Sequence, residues 1–509
     1  MKEATEKINK NAPIAIAPIT GDSCDSKTEN LGSISRFVNY IKPEEIADKY
    51  TGGGDLDNGR LFADMYCRIL RFVPEINRWM YYGGTCWGID ISETFVDGCA
   101  RDLAYYLNQH DSIGGIGGLA ILLSKRSKRR SMIQDARSIN PLRMNDFDSD
   151  PLLINTLNCT IDLKDGSRRE HNPDDLLTKI ANVNYDPEAK CERWGKFINE
   201  VMCGDGELST FLQKSLGYAL SGDVSLECLL ILWGRKTRNG KGTLMETVLK
   251  VMGDYARSLS PASLSQKSRS GDTPSPEFAS VAGVRLVTVS EPDRGMKLNV
   301  ALTKRLTGGD PIIARHLHRN PIEYRPQFKI FINTNHLMEI DDETIFSSGR
   351  IKMVPFERHF EESERDHGLK DTFKKPENAS AIFNWLLKGH QLFKTDGLTP
   401  PAKSDEALTT YRKECDTISL FMESLLERCD DSKRTKTSDL YIKYKEWFTK
   451  FDIEGKSQKE FVDALRQKGL VTRHRTDGHI VKGYVLKNKS EGDVAEEDKV
   501  KTSIVEAVH

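Results

Sequence analysis

The sequence predicts a multidomain α/β protein whose centre is a parallel β-sheet. Three apolar segments, CLLILW (228–233), VRLVTVS (284–290) and FKIFINTN (328–335), alternate with helical patterns and lead into polar residues. This alternation is typical of a parallel sheet that binds its ligand at the carboxyl ends of its strands. The 509 residues exceed what one hydrophobic core usually organises, so we expect several domains.

The composition is that of a soluble globular protein, with 38% hydrophobic and 29% charged residues. No apolar run reaches the roughly eighteen residues of a membrane-spanning helix, so we expect no membrane partner. The ten cysteines include no C-x-x-C pair, which argues against a zinc ribbon or a disulfide framework. Because the formal net charge is only -1, any contact with nucleic acid would depend on local basic patches.

The residues before the predicted sheet divide into a leader and a mostly helical, mixed α/β domain. Residues 1–40 are polar and contain prolines, which predicts a flexible leader, and the domain is expected to span 41–204. Helical periodicity covers GRLFADMYCRILRFV (59–73). RWMYYGGTCWGID (78–90) and INTLNCTIDLKDG (154–166) each predict a pair of short strands.

The loop after the first apolar strand resembles a phosphate-binding loop with altered spacing. Five residues separate Gly234 from Gly240, and Gly242 stands between Lys241 and Thr243. Glycines let the backbone approach phosphates, the lysine neutralises the β/γ oxygens, and the threonine hydroxyl at the start of the helix reaches a metal. The alternative is a glycine-rich strand-to-helix turn with a chance lysine.

Three further residues follow in an order that suits nucleotide hydrolysis. Glu291 ends the second strand, where a carboxylate can polarise water and help to hold magnesium, and Ser290 occupies the position that more often carries an acid. Asn335 ends the third strand and could hydrogen-bond the γ-phosphate. Arg350 could stabilise transition-state charge from a neighbouring subunit. The alternatives are a solvated strand end, a turn asparagine and a surface salt bridge, respectively.

These residues and their surroundings resemble a known family. The resemblance rests on the segments TRNGKGT, SEPDRGMKLN, KRLTGGDPIIAR, FINTNHL and FSSGRIKMVPFERHF, preceded by DNGRLFADMY, DSDPLLINTLNCTIDLKDG and FLQKSLGYALSGD. They are similar to the superfamily 3 helicases of the phage and poxvirus-type primase-helicase family, including replication proteins of satellite phages and pathogenicity islands. The resemblance covers roughly residues 50–395 and makes the lengthened loop a variant found in phage-type members.

The resemblance implies an AAA+-like ATPase core at 205–395 that forms a homo-hexameric ring and unwinds DNA from 3′ to 5′ with ATP and Mg2+. Lys241, Glu291, Asn335 and Arg350 would be catalytic: Walker A lysine, Walker B acid, sensor 1 and arginine finger. Thr243 and Glu291 would hold magnesium, partly through water. The implied nucleotide-binding residues are Gly234, Arg238, Asn239, Gly240, Lys241, Gly242, Thr243 and Leu244.

A basic segment between the second and third strands is the first candidate for DNA contact. Asn320-Pro321 predicts a hairpin tip, and in the related rings this segment projects into the central channel. Basic tips in a channel would contact phosphates without regard to sequence. The expected contacts are Lys304, Arg315, His316, His318 and Arg319. The alternative is a solvated basic loop.

The carboxyl-terminal part predicts a separate winged-helix module at 396–487, followed by a disordered acidic tail at 488–509. A helix, a second helix opened by the capping box Ser457 to Glu460, and a hairpin turning at Asp477-Gly478 follow in this order. Arg473, Arg475 and Lys482 are the expected contacts with DNA. Protein docking is the alternative use of such a module.

We therefore expect an ATP-dependent DNA helicase for the replication of a phage or mobile genetic element, in the cytoplasm of a bacterial host. Its expected partners are single-stranded and forked DNA, with origin duplex DNA, a separate primase and host replication proteins as further candidates. No cysteine-rich primase zinc site is present, so we predict no intrinsic primase activity. The alternatives are an origin-binding initiator or helicase loader, in which ATP controls assembly, and a nucleotide-gated scaffold.

Overall fold

A computed structural model gives the fold of most of the chain. It describes residues 34–51, 54–266, 276–293, 295–315, 321–340, 342, 344–430, 432–449, 457–470, 473–475 and 478–487. The nine cysteines within these ranges are all free thiols.

The amino-terminal part has its own hydrophobic core and mixes helices with a small antiparallel sheet. Its elements are α1 (Pro43–Lys49), α2 (Asp55–Tyr66), β1 (Leu70–Val73), β2 (Arg78–Tyr82), β3 (Trp87–Ile89), α3 (Thr94–Gln109), α4 (Ile116–Ser124) and α5 (Arg126–Ala136). The strands pair in the order β1-β2-β3. The aromatic strand pair at 78–90 is thereby confirmed.

Two predictions for this part are wrong in detail. The helix expected over 59–73 ends at Tyr66, and the last four residues of that stretch, Leu70–Val73, form β1, where Phe72 pairs with Trp79 of β2. The flexible leader does not extend to residue 40, because Ile34 and Phe37 are buried in the amino-terminal core. Residues 1–33 lie outside the described residues.

The next elements lead from this core to the central sheet. They are β4 (Leu153–Asn155), β5 (Thr160–Asp162), β6 (Arg168–Arg169), α6 (Glu192–Val201) and α7 (Gly206–Tyr218). The strand pair predicted within 154–166 is confirmed as β4 and β5. Ile154, Ile161 and Trp194 belong to the hydrophobic core that covers the central sheet. The amino-terminal core includes buried residues from Ile34 to Phe147, with Leu176 packed against it, and the domain boundary at 204 stays a prediction.

The central sheet has five strands, all parallel, in the order β13-β7-β12-β9-β8. The elements of this region are β7 (Leu229–Trp233), α8 (Lys241–Met252), β8 (Ala256–Leu259), α9 (Pro276–Ala279), β9 (Leu286–Ser290), α10 (Val300–Thr307), β10 (Ile312–Ala314), β11 (Ile322–Tyr324), β12 (Lys329–Thr334), α11 (Thr344–Ser347), β13 (Ile351–Pro355), α12 (Leu369–Lys374) and α13 (Pro376–Asp396). The predicted parallel sheet is confirmed.

Helices cover both faces of this sheet, which explains why its strands are continuously apolar. Leu230 and Leu232 of β7 pack on one face with α7, α8 and α13. Leu229 and Ile231 pack on the other face with α10 and α11. The resulting three layers leave the strand ends as the sheet's accessible edges, here called the carboxyl edge and the amino edge.

One further helix, α14 (Ala402–Cys415), also packs on the sheet, although the predicted boundary at 395–396 assigned it to the carboxyl-terminal module. The Tyr411 hydroxyl donates to the Met338 carbonyl over 2.8 Å, and the Ser404 hydroxyl donates to the Met353 carbonyl. Tyr411 is fully buried in the same core as Phe346. These contacts place α14 with the sheet, so the carboxyl-terminal module begins about twenty residues later than the predicted boundary.

A small module with its own core follows. Its elements are α15 (Thr417–Leu425), β14 (Leu426–Arg428), β15 (Arg434–Lys436), α16 (Thr437–Thr449), α17 (Gln458–Gln467), β16 (Arg473–Arg475), β17 (Gly478–Lys482) and β18 (Tyr484–Leu486). The capping box of Ser457 and Glu460 and the β16–β17 hairpin are confirmed. The name winged helix stays a prediction, and the predicted tail at 488–509 lies outside the described residues.

Candidate functional site

Three predicted site residues meet at the carboxyl edge. Lys241 begins α8 after the loop that leaves β7, Glu291 follows β9, and Asn335 follows β12. The Lys241 ammonium donates to the Asn335 side-chain oxygen over 2.7 Å, and the Glu291 backbone N–H donates to the Asn333 carbonyl over 2.8 Å. These contacts join three strands that are far apart in the sequence, because parallel strands bring their carboxyl ends to one edge.

Lys241 carries a charge in a buried position. Only 4% of the surface of Lys241 is exposed to solvent. Burial lowers the pKa of Lys241 to about 8, and the nearby negative charge of Glu291 offsets only part of this effect. A polyanion beside Lys241 would favour the ammonium form, so the site is electrostatically suited to an anionic ligand.

The loop's conformation depends on two of its glycines. A side chain at Gly234 would place its Cβ 2.4 Å from the Phe356 carbonyl oxygen. Gly240 has φ +86°, and a Cβ there would lie 2.4 Å from Val201 Cγ1. By contrast, a Cβ at Gly242 would meet no atom within 4 Å. The first two glycines therefore serve the loop's own packing, whereas Gly242 faces open space.

The start of α8 is a suitable anion site. Its N-cap, Gly240, has no side chain to accept hydrogen bonds from the first turn, and those N–H groups have no intrahelical acceptor. Leu244 was also predicted to bind the nucleotide, but its N–H already donates to the Gly240 carbonyl over 3.0 Å and its side chain is buried. The geometry therefore leaves the donors of residues 241–243 for a phosphate.

A magnesium ion would find few protein ligands here. Within the described ranges, no group of three or more His, Cys, Asp or Glu side chains could hold a metal alone. The Thr243 hydroxyl on the first turn of α8 and the exposed Glu291 carboxylate are hard oxygen donors of the kind Mg2+ binds. Because Mg2+ commonly combines one or two protein ligands with phosphates and water, this donor set fits a nucleotide-bound ion.

The segment after β13 braces the loop, which the sequence did not reveal. The Phe360 N–H donates to the Arg238 carbonyl over 2.9 Å, and His359 Nδ1 lies 2.8 Å from the Thr237 carbonyl. The exposed Arg238 guanidinium, 3.4 Å from Glu362, pairs with the same segment. Asn239 is buried, and its side-chain amide donates to the Lys236 carbonyl over 2.6 Å. The lengthened loop is thus supported by the segment after β13 and by a hydrogen bond within the loop itself.

Arg350 does not join the other three residues within one chain. It directly precedes β13, at the amino edge, about 16 Å along the five-residue strand from the carboxyl edge. Its guanidinium forms an ion pair with Glu227 and donates to the Thr307 hydroxyl over 3.0 Å. Only 19% of the side chain is exposed. Arg350 therefore does not reach the predicted phosphate site of its own chain.

The two strands of the predicted hairpin are present as the antiparallel pair β10 and β11, and Arg315 follows β10 with an exposed side chain, whereas Asn320 of the predicted tip lies outside the described residues. His316, His318 and Arg319 lie outside the described residues. Lys304 has other partners, because its ammonium lies 2.9 Å from the Asp342 carboxylate and donates to the Thr344 hydroxyl. The contacts of Lys304 therefore give no support to its predicted role in DNA binding.

In the carboxyl-terminal module, Arg473 pairs with Ile480, Arg475 pairs with Gly478, and Lys482 ends β17. Only the backbones of Arg473 and Arg475 are among the described atoms, so their predicted contacts with DNA remain predictions. In the part of the chain that the structure describes, no helix has both the length and the apolar character needed to cross a bilayer.

Comparison with protein families gives two matches. Residues 59–203 match the family described as "D5 N terminal like". Residues 232–350, from the end of β7 to Arg350, match a family of unknown function, DUF5906. The second match therefore contains Lys241, Glu291, Asn335 and Arg350.

Similar curated proteins come from large DNA viruses and a virophage. "Putative helicase L207/L206" of Acanthamoeba polyphaga mimivirus is 29% identical over 347 residues, which cover 64% of this chain and 36% of that protein. "Putative helicase 022R" of Frog virus 3 is 26% identical over 270 residues, covering 49% and 27%. "Putative helicase V13" of Sputnik virophage is 23% identical over 248 residues, covering 46% and 32%. The chain thus spans well under two thirds of these relatives.

A solved apo structure of the NrS-1 C terminal region aligns with 86% of this chain and 83% of that chain, at 12% identity and a TM-score of 0.45. The match to the family described as "D5 N terminal like" and the viral relatives support the predicted resemblance to the phage and poxvirus-type primase-helicase family.

Proposed function

We propose that this chain is an ATP-dependent DNA helicase that replicates a phage or other mobile genetic element. The observation that carries the proposal is the contact between the buried Lys241 ammonium and Asn335, beside Glu291 and the first turn of α8. A cation, a carboxylate and an amide from three strand ends, around free helix N–H donors, suit the binding and hydrolysis of a nucleoside triphosphate.

In this proposal, the chain's own groups divide the work of hydrolysis. Lys241 would bind the β- and γ-phosphates in place of Asn335, and Asn335 would then be free to orient the attacking water. Glu291 would accept a proton from that water, and Thr243 would hold Mg2+ together with the phosphates. Ser290 would leave metal coordination to Thr243, Glu291 and water.

The position of Arg350 supports a site shared between subunits. A side chain at the amino edge, remote from its own carboxyl edge, could meet the site of a neighbour in a head-to-tail ring. We propose a homo-hexamer in which Arg350 stabilises the charge that develops at the neighbour's phosphates. The β10–β11 hairpin would line the ring's channel and carry a single strand in the 3′ to 5′ direction.

The carboxyl-terminal module would add contacts with DNA in this scheme. Its order of helices and hairpin is compatible with a winged helix, and Lys482 lies at the end of the second hairpin strand. We propose that it contacts forked or origin duplex DNA through phosphates. A separate primase and host replication proteins would complete the assembly, in the cytoplasm of a bacterial host.

An origin-binding initiator or helicase loader is the second candidate. The observation that favours it is the carboxyl-terminal module, whose core is separate from that of the sheet and includes residues from Ile418 to Val481. In that case, ATP would control assembly on DNA, and hydrolysis would proceed without strand separation.

One experiment tests the proposal and separates the two candidates. The full-length chain, Lys241→Ala and the control Lys250→Ala, an exposed lysine of the same helix, are assayed for ATP hydrolysis and for unwinding of forked duplexes. We expect wild type and Lys250→Ala to unwind forks with a 3′ tail, and Lys241→Ala to lose both activities. Hydrolysis without unwinding would favour the loader, and no hydrolysis by wild type would refute both.

A further inference from the structure

Arg350 is held by two residues for which neither the sequence nor the family resemblance suggests a role. Its guanidinium forms a close ion pair with the Glu227 carboxylate, donates to the Thr307 hydroxyl over 3.0 Å and approaches the Glu227 carbonyl at 3.4 Å. These partners lie 123 and 43 positions away in the sequence. A guanidinium has five N–H donors in a fixed plane, so these contacts fix its direction and still leave donors for another anion.

Thr307 connects this guanidinium to the DNA hairpin. It is the last residue of α10, and its own hydroxyl donates to the Thr303 carbonyl over 2.9 Å. Gly308 and Gly309 follow, the latter with φ +73°, and lead into β10. Arg325, one residue after β11, donates to the Gly309 carbonyl over 3.0 Å, so both strands of the hairpin are anchored at this glycine pair.

A second contact joins α10 to the segment that carries Arg350. The Lys304 ammonium lies 2.9 Å from the Asp342 carboxylate and donates to the Thr344 hydroxyl over 2.6 Å, at the start of α11. Helix α11 ends at Ser347, only three residues before Arg350. Helix α10 therefore contacts the segment 342–350 at both ends of that segment, through Lys304 and through Thr307.

We propose that Thr307 and Glu227 are positioning residues that transmit DNA binding at the β10–β11 hairpin to Arg350, and thereby to the nucleotide site of the neighbouring subunit. This inference rests on the proposed function, because it requires a ring in which Arg350 completes the neighbour's site. When DNA displaces the hairpin, α10 moves with it, and the hydroxyl of Thr307 redirects the guanidinium. Glu227, whose side chain is 46% exposed, keeps the guanidinium at the subunit's edge during this movement.

The same helix supplies a matched control. Thr303 and Thr307 are both buried, with 1% and 2% exposure, and each hydroxyl donates to the carbonyl four residues earlier. Of these two threonines, Thr307 is the one whose hydroxyl accepts a hydrogen bond from Arg350. Thr303→Val and Thr307→Val therefore remove the same kind of helical hydrogen bond, but only the second also removes an acceptor from Arg350. Thr307→Ser keeps that acceptor, and Glu227→Gln replaces the charge at an exposed position.

The test measures ATP hydrolysis by the full-length chain with and without single-stranded DNA, and compares the stimulation ratios. We expect Thr303→Val and Thr307→Ser to retain at least half of the wild-type ratio. Thr307→Val and Glu227→Gln should lower the ratio by about fivefold or more, because the first removes a hydrogen-bond acceptor from the guanidinium and the second removes the negative charge that pairs with it. Melting temperatures identify any variant that fails to fold. If Thr307→Val does not fold, Glu227→Gln still tests the inference, because the half-exposed side chain of Glu227 can be replaced without disturbing the core.

The outcomes separate this inference from the proposed function. If wild type hydrolyses ATP with DNA stimulation and both Thr307→Val and Glu227→Gln match Thr303→Val, the inference is wrong and the proposed function stands. Hydrolysis by wild type that DNA does not stimulate also overturns the inference alone. If wild type hydrolyses no ATP under either condition, the proposed function fails and the inference fails with it.

Discussion

Lys241 and Asn335 are 94 positions apart, yet their side chains meet at 2.7 Å in a partly buried contact at the carboxyl edge of the sheet. An amide oxygen is a weaker partner for an ammonium than a carboxylate or phosphate, so the contact leaves Lys241 incompletely compensated for its burial. The depressed pKa of about 8 follows from this burial. The contact with Asn335 is thus one that a phosphate could replace.

The first prediction is a fall in ATP affinity above pH 8. The nucleotide binds the ammonium form, so it raises the pKa of Lys241, whereas the free chain loses this proton near pH 8. Below that pH, Lys241 is charged in both the free and the nucleotide-bound chain, so the affinity for ATP does not change with pH. Above it, binding takes up a proton and the dissociation constant rises by up to about tenfold per pH unit. Fluorescence titration with a labelled ATP between pH 7 and 9.5 measures this dependence.

Lys241→Arg is the control for this titration, because a guanidinium keeps its charge throughout the range. Its affinity is expected to be lower than that of wild type but independent of pH above 8. A wild-type affinity that stays constant to pH 9.5 would show that Lys241 does not titrate in this range in solution.

The second prediction separates two glycines of the same loop. Gly240→Ala should destabilise the chain and abolish ATP binding, because its Cβ would lie 2.4 Å from Val201 Cγ1 at a φ of +86°. Gly242→Ala should leave the melting temperature nearly unchanged, since its Cβ meets no atom within 4 Å. It should nevertheless weaken ATP binding by at least about tenfold, because the methyl group would occupy space that a phosphate needs. Unaltered binding by Gly242→Ala would place the phosphates elsewhere.

The sequence predicted those features that depend on short-range patterns. Continuous apolar runs identified β7, β9 and β12, and Lys241 and Asn335 were predicted in the segments that follow two of these strands, where their side chains meet. Parallel strands have a fixed direction, so residues that follow them share one edge of the sheet. The hairpins and the capping box of the carboxyl-terminal module also have local signals.

The sequence did not predict contacts between distant segments. The ion pair of Arg350 with Glu227 has no local signature, because a lone arginine and a lone glutamate are common at any surface. Helix α14 was misassigned because an apolar residue such as Tyr411 fits the core of either neighbouring unit. The end of α2 was misplaced because periodicity alone does not distinguish the last helical turn from a following apolar strand.

The third prediction concerns Arg350 and requires mixed subunits. Arg350→Ala should bind ATP normally and lose hydrolysis, because the residue lies at the amino edge, away from its own phosphate site. Glu291→Gln should also lose hydrolysis, but through its own site. Mixtures of the two variants contain pairs in which one subunit supplies an intact site and the neighbour supplies an intact arginine. We expect such mixtures to recover measurable ATP turnover, and hydrolysis by Arg350→Ala alone would contradict the shared site.

The fourth prediction tests the packing of α7 against α13, two helices that cover one face of the central sheet. Helices α7 and α13 cross with their backbones in contact, and a Cβ built at Gly389 would lie 2.1 Å from the Gln213 carbonyl oxygen. Gly389→Ala must therefore separate the two helices, at a cost of about 3 kcal/mol. The midpoint of thermal unfolding should fall by roughly 6 °C or more. Gly195→Ala in α6 is the control, because its Cβ meets no atom within 4 Å and the change should raise stability by about 1 kcal/mol or less. Equal melting temperatures for the two variants would show that α7 and α13 do not cross this closely in solution.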